Sequence, residues 1–262
     1  MAQKHVSAEM PFLDHLEELR RRLFKVLAAL FVGVIVAFPI IYRYGVLEFL
    51  AQPVLPYLSE GRLVYTGPAD AFKVTMGLAF ALGFIFALPV VLWQLWGFVA
   101  PALYRHEKKI VLPLIFFATI LFFGGVSLAF LVILPLTMKF LLSFQTDVMA
   151  PFITVSGYFG MATTMSLLFG AVFEMPIIAL ALTAMGILEP ATLHRFRRHS
   201  VVGCLVVAAF ITPGGDPISL AVMAVPLYLL FEFSVLVSEG MYRYRLRRQA
   251  QRLRDDAAEV TA

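Results

Sequence analysis

The chain has 262 residues, one large domain's worth by length, of which 61% are hydrophobic and only 15% charged. Soluble domains run at about 45–50% apolar and about 25% charged, so a mean hydropathy of +0.87 exceeds what one water-facing globule buries. A soluble enzyme, a disordered chain and a nucleic-acid binder are poor readings despite the pI near 9.3, and an integral membrane protein is the reading that fits.

Residues 1–22 form a charged amino-terminal segment in which Leu13, Leu16, Leu19 and Leu23 recur at helical spacing. Arg20-Arg21-Arg22 before an apolar run looks like an export signal. The run outlasts a cleavable h-region, however, ends in Phe38-Pro39-Ile40-Ile41, and has no A-x-A site after it. It reads as an anchor, the first span, over 23–41. In the connection that follows, Val46-Leu47-Glu48-Phe49-Leu50 predicts a short amphipathic helix, ended by Pro53 and Pro56.

A helix needs about 20 mostly apolar residues to cross the hydrocarbon. Residues 74–104 and 110–138 qualify without a single charge, and 158–187 qualifies with one carboxylate, Glu174. The connection around Thr137 to Val155 is nearly charge-free and reads as packing against the membrane. Residues 199–211 and 217–237 complete a short final hairpin, turned by Thr212-Pro213-Gly214-Gly215. The fifth span is only about 20 Å long against a core of about 30 Å, so the bilayer thins there or neighbours shield its end. Residues 238–262 are a tail, helical or frayed. The fold class is therefore an all-α integral membrane protein, a single six-span domain over 1–262.

Sidedness follows from charge. Seventeen of the 21 Lys and Arg residues fall in the amino-terminal segment with Lys25 just beyond it, the connections at Arg105–Lys109 and Arg195–Arg198, and the tail. The opposite set holds Arg43, Arg62, Lys73 and Lys139. Cytoplasmic loops collect Lys and Arg, so both termini are cytoplasmic, and the even span count agrees. The chain is a multi-pass protein of the cytoplasmic (inner) membrane.

Chemistry is sparse. The histidines (His5, His15, His106, His194, His199) all fall in cytoplasmic segments or at their edge, and HExxH, GxSxG and a Gly-rich phosphate loop are missing from the sequence. An enzyme, a metal site and a cofactor are not expected. Cys204, the single cysteine, lies in an apolar stretch and reads as a small core hydrophobe. Glu174 is the telling acid: ionised at membrane depth it costs several kcal/mol, so it is neutral, paired or facing water. It is either hydrogen-bonded to a neighbouring helix or part of a site for a partner or a translocating chain. Glu232 is nearer the inner interface. Glu18 has Arg22 at i,i+4 and Glu107 has Lys108 beside it, so local ion pairs account for both on spacing alone.

The run Phe12-Leu13-Asp14-His15-Leu16-Glu17-Glu18-Leu19-Arg20-Arg21-Arg22-Leu23 resembles the amino terminus of the TatC family, the multi-span receptor subunit of the twin-arginine protein translocase. Pro101-Ala102-Leu103-Tyr104-Arg105-His106-Glu107-Lys108-Lys109, Phe173-Glu174-Met175-Pro176, Thr212-Pro213 with Asp216, and Pro226 through Glu232 extend the resemblance, in order, over nearly the whole chain. The resemblance implies a receptor for Arg-Arg signal peptides of folded cargo proteins, working with single-span TatA- and TatB-type subunits and the proton gradient, and self-associating within membrane lipid. It implies that Glu18 and Glu107 bind the arginine pair, with Arg20, Phe98 and Leu103 around them. It places Glu174, Thr212, Asp216, Ser219 and Glu232 in intramembrane polar contacts with partners, and Pro53 in an outer cap. Leu220 stands where some relatives carry a polar residue. A guanidinium forms bidentate bonds to a carboxylate that lysine cannot reproduce, which suits the two acids to that task.

The alternative is a proton-coupled small-solute transporter using Glu174. Such a carrier calls for repeat symmetry and broken helices at the midplane. Phe86-Ala87-Leu88-Pro89 echoes Phe173-Glu174-Met175-Pro176 only weakly, and the sequence predicts no broken helix.

Overall fold

A computed structural model describes residues 12–58, 62–99, 108–143, 152–212 and 217–261. The described residues are helical almost throughout, as lipid requires: without water in the bilayer core, each backbone N–H and C=O must be satisfied within its own segment. In chain order the helices are α1 (Phe12–Arg43), α2 (Val46–Ala51), α3 (Asp70–Val99), α4 (Lys108–Leu128), α5 (Leu134–Ser143), α6 (Val155–Val172), α7 (Met175–Met185), α8 (Pro190–Ile211) and α9 (Pro217–Thr261). Five stretches are long and apolar enough to cross a membrane: Leu16–Arg43, Asp70–Phe98, Leu112–Ser143, Val155–Met185 and Ser219–Tyr244. α8 is not among them, because Arg195, Arg197 and Arg198 lie in its first half.

The chain divides into two compact units. The first is Met1–Val46 with Thr75–Thr119. Lipid tails are as apolar as leucine, so helices in a bilayer associate through close packing of small residues rather than hydrophobic burial. Gly33 of α1 and Gly83 of α3 supply it. A Cβ on Gly83 would lie 2.7 Å from the Val34 backbone nitrogen, and one on Gly33 would strike the Gly83 carbonyl. The helices therefore cross almost backbone to backbone. One face of α1 stays outward, with Phe24, Phe31 and Val32 all more than half exposed.

The second unit is Leu47–Val74 with Ile120–Ala262. The predicted short helix after the first span is α2, tied down twice: Tyr158 Oη donates to the Leu50 carbonyl at 2.6 Å, and the Phe49 and Phe130 rings sit 5.4 Å apart. Pro53 follows in the turn, beside the fully buried Val54. Nothing in the sequence announced that Val64 and Thr154 pair in parallel, through Val64 N–H to Ile153 and Val155 N–H to Val64. Nor was the entry to α3 foreseen, where the Asp70 carboxylate accepts from the Thr66 and Gly67 amides and the Thr66 hydroxyl at 2.7–2.9 Å. In this unit α9 packs against α7 and α8.

Several expected boundaries change. The third apolar segment runs on to Ser143 through a π-helical turn at Ala129–Ile133, so the charge-free connection starts later than Thr137. The arginine-bearing stretch ahead of the fifth span is not a loop but the start of α8, entered at Pro190, whose fixed φ suits the first helical position. The tail is helical to Thr261. The main correction concerns the fourth segment, expected to be continuous: α6 ends at Val172 and α7 begins at Met175. Pro176 explains the break, since it has no N–H to continue the ladder and its ring crowds the preceding turn. At the far end of α7, Gly186 takes φ 75° and its N–H returns to Thr183, with Ile187 bonding Leu182, a glycine-capped stop.

Candidate functional site

In the first unit, α1 carries Glu18 and Arg22 one turn apart on one flank. Arg22 Nε and Nη2 both converge on Glu18 Oε1, at 3.0 and 2.5 Å. The local ion pair that the spacing suggested is therefore formed. The same guanidinium also reaches across to α3, where Nη1 makes a long 3.4 Å bond to the Gln94 carbonyl. It lies so close over Gly97 that a Cβ there would come within 3.0 Å of Cζ. Arg22 thus pins Glu18 to the end of α3, one residue from Phe98. The spacing revealed the Glu18–Arg22 partnership; the role of Gly97 had no signal in a single sequence.

Around this anchor the other cations stay outside. Arg20 lies over the Phe24 ring at 5.7 Å, and Arg21 sits 3.8 Å from Glu17 with both side chains about 70% exposed. Glu18 and Arg22 are only 26% and 23% exposed. Glu18 is the sheltered acid of this segment and Oε2 has no partner among the described residues. Leu103 and Glu107 lie outside the described residues.

The second unit holds the intramembrane acids, and they differ sharply. Glu232 of α9 is fully engaged: Oε1 accepts from Tyr228 Oη at 2.9 Å and Oε2 from Arg197 Nη2 of α8 at 2.8 Å. Its carboxylate clamps α8 to α9. Further along α9, Ser238 bonds Thr183 of α7, and Glu239 takes His194 of α8 and Arg243 of its own helix. The sequence singled out Glu232 but not these partners. Glu174 stands at the break between α6 and α7, at the position preceding α7, and its Oε1 is buried without a hydrogen-bond partner among the described residues. A buried unsatisfied oxygen is unfavourable, so its persistence calls for a reason outside the fold's own bonding.

Thr212 caps α8 from inside, 6% exposed, with its hydroxyl donating to the Ala208 carbonyl at 2.7 Å and lying 2.9 Å from the Met223 sulfur. Ser219 is 1% exposed at the start of α9, beside a small pocket of about 290 Å³ that also takes in Thr137 and Lys139. Asp216, expected beside them, lies outside the described residues. No group of three potential metal ligands occurs among the described residues.

The family described as Sec-independent protein translocase protein (TatC) matches residues 14–226. The TatC protein of Deinococcus radiodurans is 37% identical over 235 residues, covering 88% of this chain and 86% of its own. That of Aquifex aeolicus is 36% identical over 232 residues, covering 88% and 95%. A crystal structure described as the twin arginine translocase receptor TatC superposes with a TM-score of 0.75 at 36% identity, covering 87% of this chain and 99% of that one. A second, in DDM, gives 0.77. A family match over most of the chain, relatives well above 30% identity and a shared helical fold meet in one conclusion: the chain belongs to the TatC family of Sec-independent protein translocase proteins, a membrane component of protein export and not an enzyme.

Proposed function

We propose that this chain is the receptor subunit that captures Arg-Arg signal peptides of folded cargo at the cytoplasmic face of the inner membrane. The observation that carries the reading is Glu18, a sheltered carboxylate tied to α3 through Arg22, which bonds the Gln94 carbonyl, with one oxygen left to accept a visiting guanidinium. Glu107 is the second acid of the pair, with Arg20 and Leu103 flanking the bound leader. Two separated carboxylates read two adjacent arginines better than one does.

The proposed topology has six spans in a single membrane domain, with α8 as the short fifth, and both termini cytoplasmic. Its support is the concentration of Lys and Arg in alternate connections. Glu174, with its unsatisfied oxygen, contacts the inserted leader or a single-span TatA- or TatB-type partner. Thr212, Asp216 and Ser219 line the partner-docking end of the final hairpin. Glu232 acts at one remove, by holding α8 on α9. Pro53 shapes an outer cap whose position rests on the Tyr158–Leu50 bond. Assembly with partners, self-association and the proton gradient supply what one chain of this size lacks. The helix break at Glu174 is the feature a proton-coupled carrier would use, but the match to a translocase family over residues 14–226 weighs against it.

The test is a pull-down of the purified chain with an Arg-Arg signal peptide and with its Lys-Lys counterpart, repeated for Glu18→Ala and Glu107→Ala. Preference for Arg-Arg that is lost in both variants supports the reading. Equal capture of both peptides, or wild-type capture by both variants, overturns it.

A further inference from the structure

One groove in the second unit has no part in the receptor reading. It is about 640 Å³, walled by α6 and α7 on one side, α8 on another and α9 on the third. Along α8 it runs from Leu193 to Val207, about 21 Å at 1.5 Å per residue. Its lip is exposed and apolar: Met175, Ile178 and Phe196 are 53%, 45% and 54% exposed. Two serines in the wall have no donor to spare for a guest, because Ser200 donates to the Arg197 carbonyl and Ser234 to the Leu230 carbonyl. Gly203 lies in the wall as well, and a Cβ built on it meets open space.

Lining suggests the occupant. The groove is long and its wall is almost wholly apolar, which suits a single extended hydrocarbon chain. Charge selects its headgroup. His199 lines the arginine-bearing end with its ring 5.7 Å from that of Phe196, and Arg195, exposed, precedes it by one turn on the same flank. Of the acids at that end, Glu232 is held by Arg197 and Glu239 by His194 and Arg243, which leaves Glu189 against Arg195, Arg198 and His199. Basic side chains where a span meets the headgroup zone attract anionic lipid.

We infer that this groove seats one acyl chain of an anionic phospholipid, whose phosphate rests against Arg195 and His199. The site uses none of the residues assigned to signal-peptide capture, so it survives or fails independently of that reading.

Cys204 is the only cysteine and lines the groove, so the unaltered chain carries its own reporter. The purified chain in detergent is titrated with phosphatidylglycerol or phosphatidylcholine while alkylation of Cys204 by an apolar maleimide is timed. Phosphatidylglycerol slows the reaction about fivefold more than phosphatidylcholine does at equal mole fraction. Native mass spectrometry then counts bound lipid: Gly203→Leu, which fills the groove, loses phosphatidylglycerol about tenfold, and Arg195→Gln binds the two lipids alike. Thermal unfolding confirms that both variants are folded. Equal alkylation with both lipids, or wild-type retention of phosphatidylglycerol by Gly203→Leu, overturns the inference. Protection of Cys204 that needs a co-expressed single-span subunit and persists without phosphatidylglycerol also overturns it, in favour of a helix.

Discussion

Replacing Glu18 by glutamine keeps the size of the side chain and removes its charge. In the folded chain both Arg22 donors fall on Oε1, so an incoming guanidinium bonds Oε2 without displacing Arg22. A hydrogen bond to a charged group is worth about 1.5–3 kcal/mol. Glu18 is 26% exposed, and water screens part of that, so the lower end, about 1.5 kcal/mol, applies. That is about tenfold in Kd. The assay is fluorescence anisotropy of a labelled Arg-Arg signal peptide against the full chain in lipid nanodiscs. Glu18→Gln weakens binding about tenfold, while a Lys-Lys peptide, whose ammonium lacks the guanidinium's fork of paired donors, changes by less than about threefold. Folding is nearly untouched, because an i,i+4 pair contributes only about 0.3–0.5 kcal/mol. Arg-Arg binding within about twofold of wild type in a folded Glu18→Gln chain refutes the assignment of Glu18 as an arginine ligand.

Gly33→Leu drives a side chain into the Gly83 carbonyl at the α1–α3 crossing; overpacking of this kind costs about 1–3 kcal/mol, and a lowered unfolding temperature in detergent reads it out. An unchanged temperature shows that the crossing is not close-packed. Glu232→Gln and Arg197→Gln each break the α8–α9 clamp and destabilise by about 1.5–3 kcal/mol, and the double variant falls well short of their sum. Additive losses in a denaturation series mean that the two side chains act separately. Glu174→Ala leaves peptide capture largely intact and impairs the later assembly or transport step, measured as export of a folded reporter. Full export by that variant removes Glu174 from the mechanism.

The helical membrane class and the short α2 were legible because composition and apolar run length leave few other ways to satisfy a backbone in lipid. Boundaries were less legible, because a helix does not stop where its apolar run stops: α8 begins at Pro190, well ahead of the apolar residues that marked it. The break before Met175 was in principle readable, since Pro176 stands in the middle of the run, but Pro39, Pro89, Pro113 and Pro226 lie inside helices that continue through them. A proline alone does not tell a kink from a break; the neighbours that restore or fail to restore the lost bonding decide it. At the site, Glu18–Arg22 followed from spacing. The reach of Arg22 to Gln94 did not, because it spans 72 residues of sequence. The Tyr158–Leu50 bond and the Val64–Thr154 pairing are tertiary in the same sense.

By position alone, Glu174 and Glu232 are both acids of apolar spans that differ in depth, and Glu18 looks like an ordinary member of a charged helix. Their bonding separates them. Glu232 has both oxygens bonded within the chain, so a partner's donor there meets an acceptor that is already satisfied. Glu18 has one oxygen committed, which fixes the carboxylate while leaving a lone-pair face to accept a guest. Glu174 has a buried oxygen with nothing bonded to it among the described residues, set where Pro176 has already interrupted the helix. An unsatisfied group is a standing free-energy deficit that a partner's donor relieves, so a second chain or an inserted leader gains more at Glu174 than at Glu232 for the same hydrogen bond. On that reasoning a donor introduced opposite Glu174 strengthens assembly, and one introduced opposite Glu232 does not.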